Sequence, residues 1–146
     1  MAKFKYKMQN ILDIKLKLES QAKIAYGIAN QKYLAEQQKL QELILRRAGY
    51  ESALKELMTG TLDVQKVSRA RADVNTMKTL VRRQMIAVHK AELELNDARQ
   101  KLNEVMVERK THEKLREKAF EKFKQELKES ESKEIDELVS FTYNSK

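Results

Sequence analysis

Apolar residues in the first half of the chain recur in steps of three and four residues. This spacing places side chains on one face of an α-helix and forms a seam suited to a coiled coil. Brief alternations, such as residues 14–18, would also suit a β-strand, but each lasts only about five residues and the helical pattern continues beside it. The pattern therefore predicts one helix over residues 3–58, with a seam that includes Leu18, Ala22, Ala25, Leu40 and Leu54.

The second half of the chain has a stricter repeat, with valine or leucine at every seventh position. Small residues such as Ala98 stand between these positions and belong to the same face. A sustained heptad repeat of this kind is typical of a coiled-coil helix. It predicts a second helix over residues 63–138, followed by a short tail over 139–146. The heptad positions are Val67, Val74, Val81, Val88, Leu95 and Leu102.

The segment between the two halves, residues 59–62, carries the signals of a tight turn. Gly60 can adopt the left-handed conformation that ends a helix, and Thr61 and Asp63 can cap the start of the next one. A turn this short forces the second helix to run antiparallel to the first. The sequence thus predicts an all-α fold, a single antiparallel two-helix coiled-coil hairpin over residues 1–146.

The two seams also predict a register for this hairpin. Seam residues whose numbers add to 120 or 121 face each other, so that Ala22 lies opposite Ala98 and Leu40 opposite Val81. The same rule pairs Glu36 with Gln84, a polar layer that would disfavour a slipped register.

Two departures from a regular hairpin are expected from the same seams. Ala25, Ala29 and Tyr33 follow one another in two successive four-residue steps, which predicts a local loss of supercoil. By the register rule Phe4 lies opposite Arg116, so about thirty residues of the second helix extend beyond any partner. In this overhang an apolar stripe would need a cover from elsewhere. The stripe consists of Phe120, Phe123 and Leu127.

Composition supports a helical rather than a compact mixed fold. Charged residues make up 36% of the chain, and proline, cysteine and tryptophan are absent. Without cysteine neither disulfides nor thiolate metal sites can form, which fits a reducing cytosol. Charges within the first fifteen residues prevent a signal-peptide core, and no stretch is long and apolar enough to cross a membrane. The net charge of +8 lies in the body of the chain, whereas residues 129–137 are mainly acidic.

The sequence contains no motif for catalysis, a metal or a cofactor. The two histidines, His89 and His112, are isolated, and the second falls on the seam opposite Met8. We therefore expect no cofactor and no enzymatic activity.

Basic residues cluster on both sides of the turn, for example Arg46, Lys66, Arg69 and Arg83. Such a cluster could meet nucleic-acid phosphates, anionic lipid or an acidic protein, and it could equally serve only solubility. Tyr50 is the one aromatic residue close to it, so base stacking, and with it sequence-specific RNA recognition, is disfavoured.

Both ends of the chain carry a family resemblance. The opening segment FKYKMQNILDIK (residues 4–15), followed by Glu19, the run LREK (115–118) and the ending KEIDEL (133–138) resemble the flagellar export protein FliJ. The similarity covers nearly the whole chain and includes the central turn.

This resemblance implies a cytoplasmic stalk at the inner-membrane face of the flagellar base. The stalk would bind the export ATPase hexamer at its paired ends and a membrane export gate near its turn, and it would escort export chaperones. In this way it would couple ATP hydrolysis to protein export, motility and chemotaxis. Arg46 replaces an aromatic residue often found in the gate-facing region of the family. The gate-facing candidates are Leu43, Arg46, Tyr50, Arg82 and Arg83, and the ring-facing candidates are Lys3, Lys5, Lys7, Arg109, Lys110, Arg116 and Lys118.

Association with the membrane is expected through these partners only, with no specific nucleic-acid ligand and a monomeric free state. Two other readings stay open: a basic coiled-coil arm that binds nucleic acid or the ribosome, and a structural rod that dimerises through its overhang. Salt-sensitive RNA binding would favour the first, and a monomeric mass in solution would exclude the second.

Overall fold

A computed structural model describes residues 3–144. Two helices, α1 (Gln9–Leu57) and α2 (Val64–Asn144), account for nearly all of this range, and the described residues contain no β-strand. The helices pack against each other as a hairpin, which confirms the all-α prediction. The chain divides into two compact units: residues 3–21 with 103–144, called here the terminal unit, and residues 22–102, called the turn unit.

Two predicted features of the turn are present, the left-handed Gly60 and the Asp63 cap. The hydroxyl of Thr59 donates a 2.7 Å hydrogen bond to the Glu56 carbonyl at the end of α1, and Gly60 follows with a φ of 81°. The Asp63 carboxylate then accepts hydrogen bonds from the amides of Gln65 at 3.1 Å and Lys66 at 3.4 Å. These amides belong to the first turn of α2 and have no intrahelical partner, so Asp63 is the N-cap of α2.

In the turn unit the buried side chains come from the valine-rich heptads of α2. Val74, Met77, Val81, Ala91 and Leu95 are buried. Facing them on α1 are half-buried residues at seam positions, and the remaining α2 seam residues are half-buried as well. These half-buried residues are Ala22, Leu40 and Leu54 on α1 and Val67, Val88, Ala98 and Leu102 on α2.

The predicted polar layer of the turn unit is confirmed. The side-chain amide of Gln84 donates hydrogen bonds to the Glu36 backbone carbonyl, at 2.8 Å, and to the Glu36 carboxylate. Lys32 and Glu94 form an exposed ion pair across the same helices at 3.0 Å. The hairpin register expected for Glu36 and Gln84 is therefore the one observed.

The α1 seam needs a correction at two positions. Glu19 is buried, with 5% of its surface exposed, whereas Leu18 is 39% exposed. Likewise Tyr26 is half-buried and Ala25 is exposed. With Glu19 and Tyr26 as the seam residues the buried face keeps its alternating three- and four-residue steps, so the expected extra step at Ala25 is absent from it.

The helix ends also differ from the predicted ones. α1 begins at Gln9 instead of residue 3, because residues 3–6 are not helical and a turn at residues 7–8 leads into the helix. The Gln9 amide donates a 3.1 Å hydrogen bond to the Tyr6 carbonyl at this turn. α2 continues to Asn144, through most of the segment expected to be a tail, while residues 145 and 146 lie outside the described range.

Candidate interaction surfaces

The terminal unit has an ionic cluster in its seam. The Arg109 guanidinium donates hydrogen bonds to both carboxylate oxygens of the buried Glu19 and, at 2.9 Å, to Glu113 on its own helix. The hydrogen bond to Glu19, and then that to Glu113, raise the pKa of Arg109. Because a buried carboxylate is stable only with such partners, the cluster fixes Arg109 inside the hairpin.

A second ion pair lies beside this cluster. The Lys15 ammonium donates a 2.8 Å hydrogen bond to the Glu108 carboxylate, which remains largely exposed. This hydrogen bond and the positive charge of Lys15 lower the pKa of Glu108. Since the pair is screened by water, its contribution to stability is small.

An aromatic contact joins the N-terminal segment to α2 in the terminal unit. The Phe4 ring lies 5.0 Å from the ring of Phe120 and 5.5 Å from that of Phe123, measured between centroids. The Arg116 guanidinium is 5.7 Å from the Phe4 centroid and also donates a 2.9 Å hydrogen bond to the Gln9 side chain. Phe4 and its neighbours thus form a strap, residues 3–8, that crosses α2.

The strap corrects the prediction of an uncovered apolar stripe. Phe4 lies on Phe120 and Phe123 as well as close to Arg116, the residue expected to face it, and Leu127 is half-buried. An extended chain advances about 3.3 Å per residue and a helix about 1.5 Å, so the non-helical strap reaches farther along α2 than a helix would. The fully exposed part of α2 begins only after Leu127 and includes Ile135, Leu138 and Phe141.

The ring-facing candidates all fall in the terminal unit, but they differ in availability. Arg109 is held by Glu19 and Glu113, and Arg116 by Gln9 and Phe4, so neither guanidinium is presented freely to a partner. The five lysines of the set have exposed side chains. These are Lys3, Lys5, Lys7, Lys110 and Lys118.

The gate-facing candidates all fall in the turn unit. Arg46, Tyr50, Arg82 and Arg83 are exposed, and Leu43 is half-buried at a seam position. A shallow depression on α1 is lined by Arg46, Gly49, Tyr50 and Ala53. It combines one cation, one aromatic ring and small residues, a set that suits contact with another protein better than enclosure of a small molecule.

The described residues offer no arrangement suited to catalysis or metal binding. No group of three or more histidine, cysteine, aspartate or glutamate side chains in residues 3–144 could hold a metal ion. His112 is half-buried, as expected, and its Nδ1 has no hydrogen-bond partner among the described residues. His89 is exposed, 4.0 Å from Glu92. Neither described helix contains a stretch apolar enough to span a membrane.

A comparison with solved structures shows a protein of similar fold. A solved structure, that of a proposed YscO homologue from Chlamydia trachomatis, resembles it with a TM-score of 0.55 and 20% sequence identity, over 97% of this chain and 96% of the other. At this identity the likeness establishes the two-helix fold alone. A comparison with curated protein sequences gives no match.

The family follows from the sequence itself. The profile of the family described as Flagellar FliJ protein matches residues 4–146, almost the entire chain. The chain belongs to this family and is a flagellar, type III export-associated protein.

Proposed function

We propose that this protein is the stalk of a flagellar export ATPase, with its terminal unit at the ATPase ring and its turn unit at the membrane export gate. Membership of the flagellar FliJ family over residues 4–146 carries this proposal. The location of the two candidate sets supports it, because all ring-facing candidates lie in one compact unit and all gate-facing candidates in the other. The stalk works at the inner face of the membrane and also escorts export chaperones.

The contact with the ring uses the exposed lysines of the terminal unit. Lys3, Lys5 and Lys7 lie on the strap, and Lys110 and Lys118 project from α2. The Glu19–Arg109 cluster and the Phe4 contact hold the strap, α1 and α2 together, so the segments that carry these lysines are positioned before binding. Exposed cations of this kind steer association with an acidic surface and set its salt dependence.

The contact with the gate uses the turn unit around Tyr50. Arg46 and Tyr50 line the depression on α1, while Arg82 and Arg83 project from α2. Tyrosine and arginine are the residue types that most often dominate protein interfaces. This composition supports a protein partner for that surface.

The test is co-purification with the export ATPase, with ATP turnover as the second readout. Replacing Lys3, Lys5 and Lys7 by glutamate is expected to weaken the complex at least tenfold, since three cations of one surface are reversed. The matched control reverses three exposed lysines of the turn unit, Lys55, Lys66 and Lys90, which should leave ATPase binding unchanged. An ATPase that assembles and turns over equally well without this chain would contradict the stalk proposal.

A further inference from the structure

The turn of the hairpin exposes apolar side chains that no contact within the chain requires. Met58 is 47% exposed, Leu62 56% and Val64 79%. All three lie within seven residues of one another, at the end of α1, in the turn and at the start of α2. A soluble hairpin would be equally well closed by polar residues here, so these side chains point to a partner that takes up apolar groups.

Basic side chains surround this apolar group. Lys55 precedes it on α1, and Lys66, Arg69 and Arg71 follow on the first two turns of α2, all exposed. At about 1.5 Å per residue Arg71 lies roughly 10 Å beyond Val64 along the helix, about one Debye length at physiological salt. All four cations are therefore close enough to act on the same surface as the apolar group.

The acidic residues nearby oppose this charge only weakly. The Asp63 carboxylate is engaged by the amides of Gln65 and Lys66 at the positive end of α2. Glu51 is paired with Arg47 at 2.9 Å. Between residues 46 and 83 nine basic residues stand against four acidic ones, which are Glu51, Glu56, Asp63 and Asp73.

We propose that the turn binds directly to an anionic lipid bilayer, with Met58, Leu62 and Val64 entering the headgroup region and Lys55, Lys66, Arg69 and Arg71 contacting lipid phosphates. Apolar side chains ringed by lysine and arginine match the interface of such a bilayer, which is apolar below and negatively charged above. Nucleic acid would use the cations but has no counterpart for exposed leucine, valine and methionine, and the region lacks the aromatic side chains for base stacking. This inference differs from the sequence-based expectation that membrane association occurs through partners only. It stands independently of the stalk proposal, because it requires neither the ATPase nor the gate.

The first test is sedimentation of the whole chain with phosphatidylcholine vesicles, with and without phosphatidylglycerol. Binding is expected only with phosphatidylglycerol and is expected to weaken with salt. Lys66→Glu with Arg69→Glu should lower the partition coefficient at least 25-fold, at about fivefold for each basic residue lost. Leu62→Ser with Val64→Ser should lower it about tenfold through lost apolar contact.

A matched control distinguishes lipid binding by the turn from binding caused by the overall positive charge of the chain. Arg82 and Arg83 lie about 27 Å beyond Val64 along α2, too far to reach the headgroups when the turn is inserted. Arg82→Glu with Arg83→Glu should therefore retain lipid binding. Equal losses for both charge-reversal variants, or full binding by the Leu62→Ser and Val64→Ser variant, would show a purely electrostatic surface and overturn the proposal.

A fluorescent reporter provides an independent readout. Since the chain contains no tryptophan, Leu62→Trp introduces a single probe at the turn, and Leu138→Trp introduces one at an equally exposed position on α2. Emission from the turn probe should shift to shorter wavelength with phosphatidylglycerol vesicles, and emission from the Leu138 position should not. A shift at neither position, or at both, would contradict insertion of the turn.

Discussion

At the scale of single residues, the seam of the terminal unit contains a buried ion pair, whereas the seam of the turn unit is mainly apolar and includes the Glu36–Gln84 layer. Glu19 and Arg109 occupy seam positions and bind each other, whereas the seam positions one heptad closer to the turn hold Tyr26 and Leu102. A buried ion pair adds little net stability compared with a well-packed apolar pair, but loss of one partner is costly. The stability of the terminal unit therefore depends on Glu19 and Arg109 being present together, more than on the apolar surface that this pair buries.

This dependence can be tested by a double-mutant cycle. Arg109→Met should lower the midpoint of urea unfolding, because it removes the hydrogen bonds to the buried Glu19 carboxylate. Adding Glu19→Met should restore most of the loss, because no buried carboxylate is then left without its cation. Lys101→Met, which removes an exposed pair with Asp97, serves as control and should change stability by about 0.5 kcal/mol or less. A double variant less stable than Arg109→Met alone would contradict this account.

At the scale of helices, the sequence predicts the fold well and the seam almost everywhere. The heptads of α2, the turn at Gly60 and the Glu36–Gln84 layer could all be predicted because each depends on local spacing or on matched residue types. Glu19 was missed because its apolar neighbour Leu18 looked the better seam residue. Glu19 can be found if the regular alternation of three- and four-residue steps is given more weight than the polarity of the residue.

The strap could not be predicted for a different reason. Residues 3–8 carry an apolar spacing that also fits a helix, and only the contact with Phe120 and Phe123 shows that the segment is not one. The sequence of a short non-helical segment such as the strap does not indicate how far along α2 that segment extends. Arg109 likewise looks like a surface cation until its partner Glu19 is known, whereas the register rule already places Arg116 opposite Phe4.

The contribution of the strap can be measured with Phe4→Ala. The variant loses two ring contacts and exposes Phe120 and Phe123, so we expect a loss of about 1–3 kcal/mol in the free energy of unfolding. Backbone amides of the strap and of α2 around residue 120 should exchange faster with solvent. Phe141→Ala, at an exposed position on α2, is the control and should have little effect. Unchanged exchange in Phe4→Ala would show that the strap contact does not stabilise the terminal unit.

The glycines predict opposite effects of one substitution. Gly60 has a φ of 81°, which alanine adopts only with strain, so Gly60→Ala should destabilise the hairpin by about 1 kcal/mol. Gly27 and Gly49 lie within α1, and an added methyl group at either position meets no atom within 4 Å. Alanine there should stabilise by roughly 0.5–1 kcal/mol each, through its higher helix propensity. Urea unfolding monitored by circular dichroism measures the change in the free energy of unfolding for each of the three variants. Stabilisation by Gly60→Ala would exclude the proposed role of Gly60 in the turn.

At the scale of the whole molecule, the two compact units divide the proposed tasks. The terminal unit contains the Glu19–Arg109 cluster and the lysines of the strap, while the turn unit contains most of the buried apolar residues, the Tyr50 depression and the basic turn. A family member of this kind can thus change one contact surface by substitution without disturbing the other. The proposals for the ring, the gate and the bilayer can accordingly be tested with separate sets of variants.

The hydrogen bonds between Gln84 and Glu36 limit how this hairpin can change in length during evolution. If α2 shifted by one heptad, the Gln84 amide would meet Leu43 or Ala29, and neither side chain can replace the Glu36 carboxylate as an acceptor. Residues inserted between Glu36 and the turn must therefore be balanced by an equal insertion before Gln84, in multiples of seven on each helix. Homologues of different length should carry such matched pairs of insertions. An insertion in one helix alone should occur only where the residues equivalent to Gln84 and Glu36 have both been replaced.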